Sequence, residues 1–214
     1  MQIAIALYER FTALDAIGPY QTLGGIEGAE VVFVAERTGP VRDDSGRLAL
    51  VADKSFADVP RPDVLVVPGG PGQSDQMENE ALLDWLRTAD ATSTWTTSVC
   101  TGSLALAAAG LLTGRTATSH WLALGELDKL GVRPSKERVV FDGKYVTAAG
   151  VSSGIDMGLA LVGRIAGDER AQAIQLITEY DPRPPYDAGS PDKAPAHLVE
   201  MFREQSRFGT ARRA

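Results

Sequence analysis

Residues 94–109 have the sequence Thr94-Trp95-Thr96-Thr97-Ser98-Val99-Cys100-Thr101-Gly102-Ser103-Leu104-Ala105-Leu106-Ala107-Ala108-Ala109. The first six residues are mostly β-branched or aromatic, which is typical of a buried strand. The run after Gly102 is among the best helix-forming segments of the chain. The pattern therefore predicts a buried strand that turns within one or two residues into a helix, with Cys100 in the turn.

Cys100 lies where a nucleophile elbow would place its reactive side chain, although the motif G-x-S-x-G is absent. Gly102 allows the backbone to turn sharply or to be approached closely. Because a helix N-terminus offers unpaired N–H groups and partial positive charge, we expect Cys100 to be more acidic than a free cysteine. The alternative is that this lone cysteine is a small buried hydrophobic residue. Its placement beside a glycine, between strand and helix, favours the nucleophile.

The composition excludes several classes of protein. A chain of 214 residues can form one well-buried domain and is short for two. The formal net charge of −7 argues against nucleic acid or an anionic membrane surface as a partner. One cysteine excludes an intrachain disulfide, and together with two distant histidines it argues against a metal site. With no basic leader and no apolar run near the ~20 residues of a membrane span, we expect a cytoplasmic protein.

Predicted strands alternate with predicted helices along the chain. Strands are expected at residues 2–8, 30–35, 64–67 and 94–99, with a β-ribbon at 41–52 and a hairpin turning at Asp142-Gly143. Helices are expected at residues 15–23, 80–87, 122–130, 155–166, 168–180 and 194–205. This alternation predicts an α/β fold with a largely parallel central sheet and helices on both faces.

Four candidate positions follow predicted strand ends: Asp15, Gly69-Gly70, Cys100 and Gly150-Val151. Since ligands bind at the carboxyl ends of the strands in such folds, these positions predict one site. Asp15 and the two glycines at 69 and 70 also have a structural alternative. Asp15 is well placed as a helix N-cap, as Asp168 is for a later helix. Gly69 and Gly70 could form only a turn, or could direct N–H groups at a reacting atom as in an oxyanion hole.

Two further features remain open at this point. His120 could be a base or a substrate contact, although a structural histidine packed near Trp121 is favoured. Residues 181–195 begin with a segment rich in proline, which predicts an irregular wrap or a linker. Only one helix and a frayed basic tail are expected after it, so we predict a single domain over residues 1–214 without a helix-turn-helix module.

Taken together, the motifs resemble the isocyanide (isonitrile) hydratase branch of the ThiJ/PfpI superfamily. The resemblance runs from residue 2 to about residue 195. The motifs that establish it are Leu14-Asp15-Ala16-Ile17-Gly18-Pro19, Pro68-Gly69-Gly70-Pro71-Gly72, Thr97-Ser98-Val99-Cys100-Thr101-Gly102-Ser103, Ala117-Thr118-Ser119-His120-Trp121, Gly154-Ile155-Asp156, and Glu179-Tyr180 through Ala194-Pro195.

The resemblance implies a flavodoxin-like sandwich, similar to class I glutamine amidotransferases, and a homodimer with its sites near the interface. It implies Cys100 as the nucleophile and an acid/base carboxylate at Asp15, where other members carry glutamate. Thr101 would assist catalysis, and Gly70, Gly150 and the Val151 backbone would line the substrate or oxyanion site. No metal or organic cofactor would be needed.

The function that this resemblance implies is the hydration of an isocyanide to an N-substituted formamide through a thioimidate on Cys100. Protease-like and glyoxalase-like members often have histidine directly after the cysteine, and Thr101 at that position counts against those activities. The alternatives are a redox-sensing or regulatory protein with an oxidisable Cys100, and a hydrolase or glyoxalase acting on another small substrate.

Overall fold

The computed structural model describes residues 1–208. Its strands, in chain order, are β1 (Gln2–Ala6), β2 (Glu30–Ala35), β3 (Gly39–Arg42), β4 (Ala49–Ala52), β5 (Lys54–Ser55), β6 (Val64–Val67), β7 (Trp95–Val99), β8 (Thr116–Ala117), β9 (Arg133–Pro134), β10 (Val139–Asp142) and β11 (Tyr145–Ala148). Its α-helices are α1 (Ala13–Leu23), α2 (Gln73–Gln76), α3 (Glu80–Asp90), α4 (Gly102–Ala108), α5 (Leu124–Lys129), α6 (Ser153–Ala166), α7 (Asp168–Ile177) and α8 (Ala196–Gln205).

The central sheet has seven strands in the order β10-β11-β7-β6-β1-β2-β5. Strand β10 is antiparallel to β11, and every other neighbouring pair is parallel. From β2 to β11 the order is that of flavodoxin, in which the second strand lies on one side of the first and the remaining strands lie on the other. The predicted fold class is therefore confirmed. The topology places a switch point between β1 and β6, where ligands bind in such sheets.

Alternate residues of each strand enter two separate cores, because successive side chains of a strand point to opposite faces. Ile3 and Ile5 of β1 pack with α1, α6 and α7, whereas Ala4 and Ala6 pack with α3, α4 and α5. Both faces of the sheet are thus covered by helices. Being buried on both faces, its strands are continuous apolar runs such as Val64–Val67.

Two helix caps differ from the prediction. Helix α1 begins at Ala13 after Thr12, so Asp15 lies in its first turn and does not cap it. The Asp15 side chain instead reaches the loop after β6. Helix α7 begins with Asp168 itself and has no side-chain cap. Helix α3 does have a side-chain cap, because Asn79 accepts from the N–H groups of Ala81 and Leu82.

The proline-rich region has no helix or strand between residues 178 and 195. Helix α8 follows it, and residues 206–208 then return to the loop after β6. The remainder of the expected basic tail, residues 209–214, lies outside the described residues. Among residues 1–208, no helix is long and apolar enough to cross a membrane.

The turn from β7 into α4 depends on a glycine. A Cβ at Gly102 would overlap the carbonyl oxygen of Val67 and lie 2.8 Å from that of Pro68. We predict that Gly102→Ala lowers the free energy of unfolding by about 1–3 kcal/mol, because backbone atoms of β6 must move. Gly125→Ala in α5 is the matched control, since a Cβ there meets nothing within 4 Å. It should raise the free energy of unfolding by up to about 1 kcal/mol. Urea denaturation measures both, and equal effects would contradict the assigned constraint.

Candidate active site

Cys100 is held in the left-handed backbone region, with φ of 58°. Its N–H donates to the carbonyl oxygens of Ala148 (3.1 Å) and Ala149 (2.8 Å), and its own carbonyl oxygen accepts from the Ser119 hydroxyl at 3.0 Å. Such a conformation is costly for a residue other than glycine and persists only where the surroundings hold it. Neighbouring strand β11 and the segment after β8 therefore fix the nucleophile elbow predicted from the sequence.

The Cys100 side chain is 5% exposed and lies beside Asp15. Burial and the charge of Asp15 raise the pKa of the Cys100 thiol to about 12, although the N–H groups of Val151 and Thr101 point at the sulfur and oppose this change. The expected low pKa of Cys100 is therefore wrong for the resting site. Desolvation and a neighbouring carboxylate outweigh the N-terminus of α4.

Asp15 is fully buried, and its Oδ2 accepts from the Gly69 N–H at 2.9 Å. Within residues 1–208, Oδ1 accepts from no N–H or O–H group, and the Cys100 thiol is the adjacent hydrogen-bonding side chain. Burial raises the pKa of Asp15 to about 7, and the hydrogen bonds from Gly69 and Cys100 limit the increase. A carboxyl group with this pKa can accept and return a proton near neutral pH, as a general acid–base group must.

The glycines after β6 allow the loop to approach the elbow closely. A Cβ at Gly69 would lie 2.5 Å from the Thr101 nitrogen, and one at Gly70, where φ is 132°, would lie 2.5 Å from the Thr12 nitrogen. The Gly70 N–H donates to Thr101 Oγ1 at 3.1 Å. Since this N–H is occupied, Gly70 orients the Thr101 hydroxyl and leaves its hydrogen available to another acceptor.

Gly150 and Val151 follow β11 and are the last of the four candidate positions that follow strand ends. Val151 has φ of 31°, an unusual value for a β-branched residue, and its N–H points at the Cys100 sulfur. A Cβ at Gly150 would lie 2.9 Å from Cδ2 of His120. His120 Nδ1 accepts from the Leu122 N–H at 3.3 Å, and burial lowers the pKa of His120. His120 is thus a neutral side chain that packs beneath the Gly150–Val151 turn.

Two residues near the site were not identified from the sequence. The Tyr8 hydroxyl donates to the Pro68 carbonyl oxygen at 2.6 Å, and burial, followed by the charges of Asp15 and Cys100, raises the pKa of Tyr8. Arg207 lies on the loop after β6, although it belongs to the segment expected to fray. Tyr8 ended an apolar strand pattern and had no distinguishing motif. Nothing local to residue 207 indicates a contact more than 130 residues away.

No group of three or more histidine, cysteine, aspartate or glutamate side chains within residues 1–208 is arranged to hold a metal ion. The site instead combines one sulfur, one carboxyl, one hydroxyl and several directed N–H groups. This set can support covalent chemistry on sulfur with proton transfer through the carboxyl.

The raised pKa of Asp15 predicts a dependence of stability on pH. In the unfolded chain Asp15 ionises near its usual value of 3.8, whereas in the folded protein its pKa is about 7. The folded state therefore binds more protons between these values, and the free energy of unfolding should fall as pH rises from about 4 to about 7. Asp15→Asn removes this loss, so at pH 8 the variant should be more stable than the wild type by up to roughly 4 kcal/mol.

Urea denaturation at several pH values measures this difference. Asp53→Asn is the control, because Asp53 is exposed and should leave the pH dependence as in the wild type. If Asp15→Asn retained the wild-type slope between pH 4 and 7, the raised pKa of Asp15 would be wrong.

Comparison with known proteins agrees with this fold. The family model described as the DJ-1/PfpI family matches residues 1–164. The isonitrile hydratase of Pseudomonas putida is 43% identical over 206 residues, which cover 96% of this chain and 90% of that protein. The HTH-type transcriptional regulator CdhR of Pseudomonas aeruginosa is 33% identical over 144 residues, covering 66% of this chain and 42% of the regulator.

A solved structure gives the same result. The crystal structure of a ThiJ/PfpI family protein from Pseudomonas syringae has a TM-score of 0.91 and 39% identity, and the match covers 95% of this chain and 86% of that one. The chain therefore belongs to the DJ-1/PfpI family, and within it to the branch that contains the P. putida isonitrile hydratase.

Proposed function

We propose that the protein is an isocyanide hydratase, which adds water to an isocyanide and releases an N-substituted formamide. The observation that supports this most is the buried pair of Cys100 and Asp15, in which a sulfur nucleophile lies beside a carboxyl group with a pKa of about 7. The P. putida relative supports the choice of substrate, because that protein is named an isonitrile hydratase and the alignment spans nearly the whole chain.

In the first half-reaction, the Cys100 sulfur attacks the terminal carbon of R–N≡C and a carbon–sulfur bond forms. The thiol proton passes through Asp15 to the same carbon, which yields the thioimidate R–N=CH–S–Cys100. Because the pKa of the thiol is raised, Cys100 holds this proton in the resting enzyme and releases it only as the new bond forms. The raised pKa thus keeps a proton in the site for the substrate carbon.

In the second half-reaction, water attacks the thioimidate carbon while Asp15 accepts a proton from it. Asp15 passes this proton to the nitrogen, and the carbon–sulfur bond breaks as the carbonyl of R–NH–CHO forms. Asp15 accepts the second proton of the former water as the carbonyl forms and returns it to the departing sulfur, so the site returns to its starting state. The N–H groups of Thr101 and Val151 stabilise negative charge on the sulfur, and the Thr101 hydroxyl is free to donate to the substrate.

The redox-sensing alternative is less well supported by the site. Oxidation to a sulfenic acid requires an accessible thiolate, whereas Cys100 is 5% exposed and its thiol pKa is raised to about 12. Hydrolysis of another small substrate would use the same residues. It is distinguished from hydration of an isocyanide by product analysis.

The test is production of formamide from one aryl and one alkyl isocyanide, followed by chromatography. Cys100→Ala and Asp15→Asn should abolish turnover. The value of kcat/KM should rise as pH passes through about 7, since Asp15 must be ionised to accept the thiol proton.

Thr101→Val should lower kcat by roughly 10²–10³-fold, the effect of losing one donor to developing charge.

Thr101→Ser is the matched control, because it keeps the hydroxyl that accepts from Gly70, and its turnover should remain near the wild-type value. Absence of cysteine-dependent formamide from the wild type would contradict the proposal. If peroxide then converted Cys100 to a sulfenic acid, the redox alternative would replace it.

We also propose that two copies of the chain form a homodimer through the face formed by α1 and α7. Tyr20 on α1 is 43% exposed, and Leu176 and Ile177 at the end of α7 are 79% and 84% exposed. Tyr20 and Ile177 line one groove of about 430 Å³. Large exposed apolar side chains that adjoin in this way are typical of a surface that binds another protein.

Ile177→Asp should convert the dimer to a monomer, because the new charge would be buried against the apolar partner. Sedimentation equilibrium measures the mass in solution. Ala81→Asp provides the control, since Ala81 is exposed on α3, on the other face of the sheet, and should leave the dimer intact. A wild-type protein that is monomeric at every concentration would contradict the dimer, and a dimeric Ile177→Asp would contradict this face.

For location, we propose the cytoplasm. The chemistry above requires a reduced Cys100, and the reducing conditions of the cytoplasm keep thiols in that state.

A further inference from the structure

The end of the described chain makes an extended contact with the loop after β6. After α8, residues 206–208 return to this loop, and the Arg207 guanidinium donates to several of its acceptors. Nη2 donates to the Gly70 carbonyl oxygen (3.0 Å) and to Oε1 of Gln73 (3.1 Å), while Nη1 donates to Ser74 Oγ (2.6 Å) and to the Pro71 carbonyl oxygen. The planar guanidinium suits such a set of acceptors because its donors form a rigid fork.

The same loop orients two groups of the active site. The Gly69 N–H donates to Asp15, and the Gly70 N–H donates to the Thr101 hydroxyl. Arg207 therefore donates to the carbonyl oxygen of Gly70, and the N–H of the same residue orients the Thr101 hydroxyl. Gln73, whose side-chain oxygen accepts from Arg207, is fully buried, so this contact is continuous with the interior.

Tyr8 contacts the same loop. Its hydroxyl donates to the Pro68 carbonyl oxygen at 2.6 Å, and the charge of Arg207 opposes the increase in the pKa of Tyr8 that burial causes.

From these contacts we infer that Arg207 is a positioning residue of the hydratase site, which holds the loop after β6 so that Asp15 and Thr101 are correctly placed. This role rests on the proposed function and deepens it. Arg207 would act through Gly70, without contact with the isocyanide.

Three variants test this role. Arg207→Met removes the fork and the charge, and Arg207→Lys keeps the charge but cannot bind several acceptors at once. Arg61→Met is the matched control, because Arg61 is exposed in the bend before β6. Each variant is examined as the full chain by formamide production, by thermal unfolding and by urea denaturation between pH 4 and pH 9.

We expect Arg207→Met to lower kcat by roughly 10–100-fold, the scale of a small misplacement of catalytic groups. The pH range over which its free energy of unfolding falls should extend above pH 7, since a displaced Gly69 N–H no longer limits the pKa of Asp15. Arg207→Lys should resemble Arg207→Met, because a charge without the fork cannot hold the loop. Arg61→Met should match the wild type in both measurements. Arg207→Met should also unfold at a lower temperature, because the buried Gln73 oxygen loses its donor.

The inference would be overturned if Arg207→Met matched Arg61→Met in kcat and in the pH dependence of unfolding. It would also be overturned if Arg207→Met unfolded at a lower temperature yet kept the wild-type kcat and pH dependence, since that result assigns Arg207 to stability alone. Urea denaturation is measured without substrate. It therefore tests Arg207 even if the wild type produces no formamide, which is the outcome that would overturn the hydratase proposal instead.

Discussion

The left-handed turn at Cys100 is the constraint on which the rest of the site depends. It is maintained by hydrogen bonds from the Cys100 N–H to the end of β11 and from the Ser119 hydroxyl to the Cys100 carbonyl oxygen. Because the strands are parallel, the segments that hold the turn are also those that bring the Val151 N–H to the sulfur. The hydrogen bonds to the sheet thus offset the cost of an unfavourable backbone conformation. They also place the sulfur beside Asp15 and Val151, at the carboxyl ends of the parallel strands.

The position of Asp15 shows that this site is arranged at the expense of stability. A carboxyl group that is fully buried beside a thiol, with one oxygen lacking an N–H or O–H donor among the described residues, destabilises its own ionised form. A structural N-cap would have no reason to be placed in this way, since a cap needs its oxygen at the N–H groups of its own helix. The burial that costs folding energy is also what brings the pKa of Asp15 to about 7.

Reasoning from the sequence succeeded where the relevant interactions follow from chain order. The strand pattern placed Asp15, Gly69, Cys100 and Val151 at one edge of a parallel sheet, and the structure brings all four together. It failed where the outcome depends on surroundings. The pKa of Cys100 was expected to fall because of α4, but desolvation by residues distant in sequence raises it.

The contacts of Gly70 explain why the remaining parts of the site could not be predicted. A glycine-rich loop after a strand is compatible with a turn, a phosphate cradle or an oxyanion hole. The sequence does not show which acceptors its N–H groups bind, because those acceptors are brought to the loop only by folding. In the structure the Gly70 N–H meets Thr101 and its carbonyl oxygen meets Arg207, which lie 31 and 137 residues away. Neither partner is defined by a local pattern. The loop therefore links α4 to the C-terminal segment, because Gly70 is hydrogen-bonded to both. Its role in the site depends on these two partners and not on the loop sequence alone.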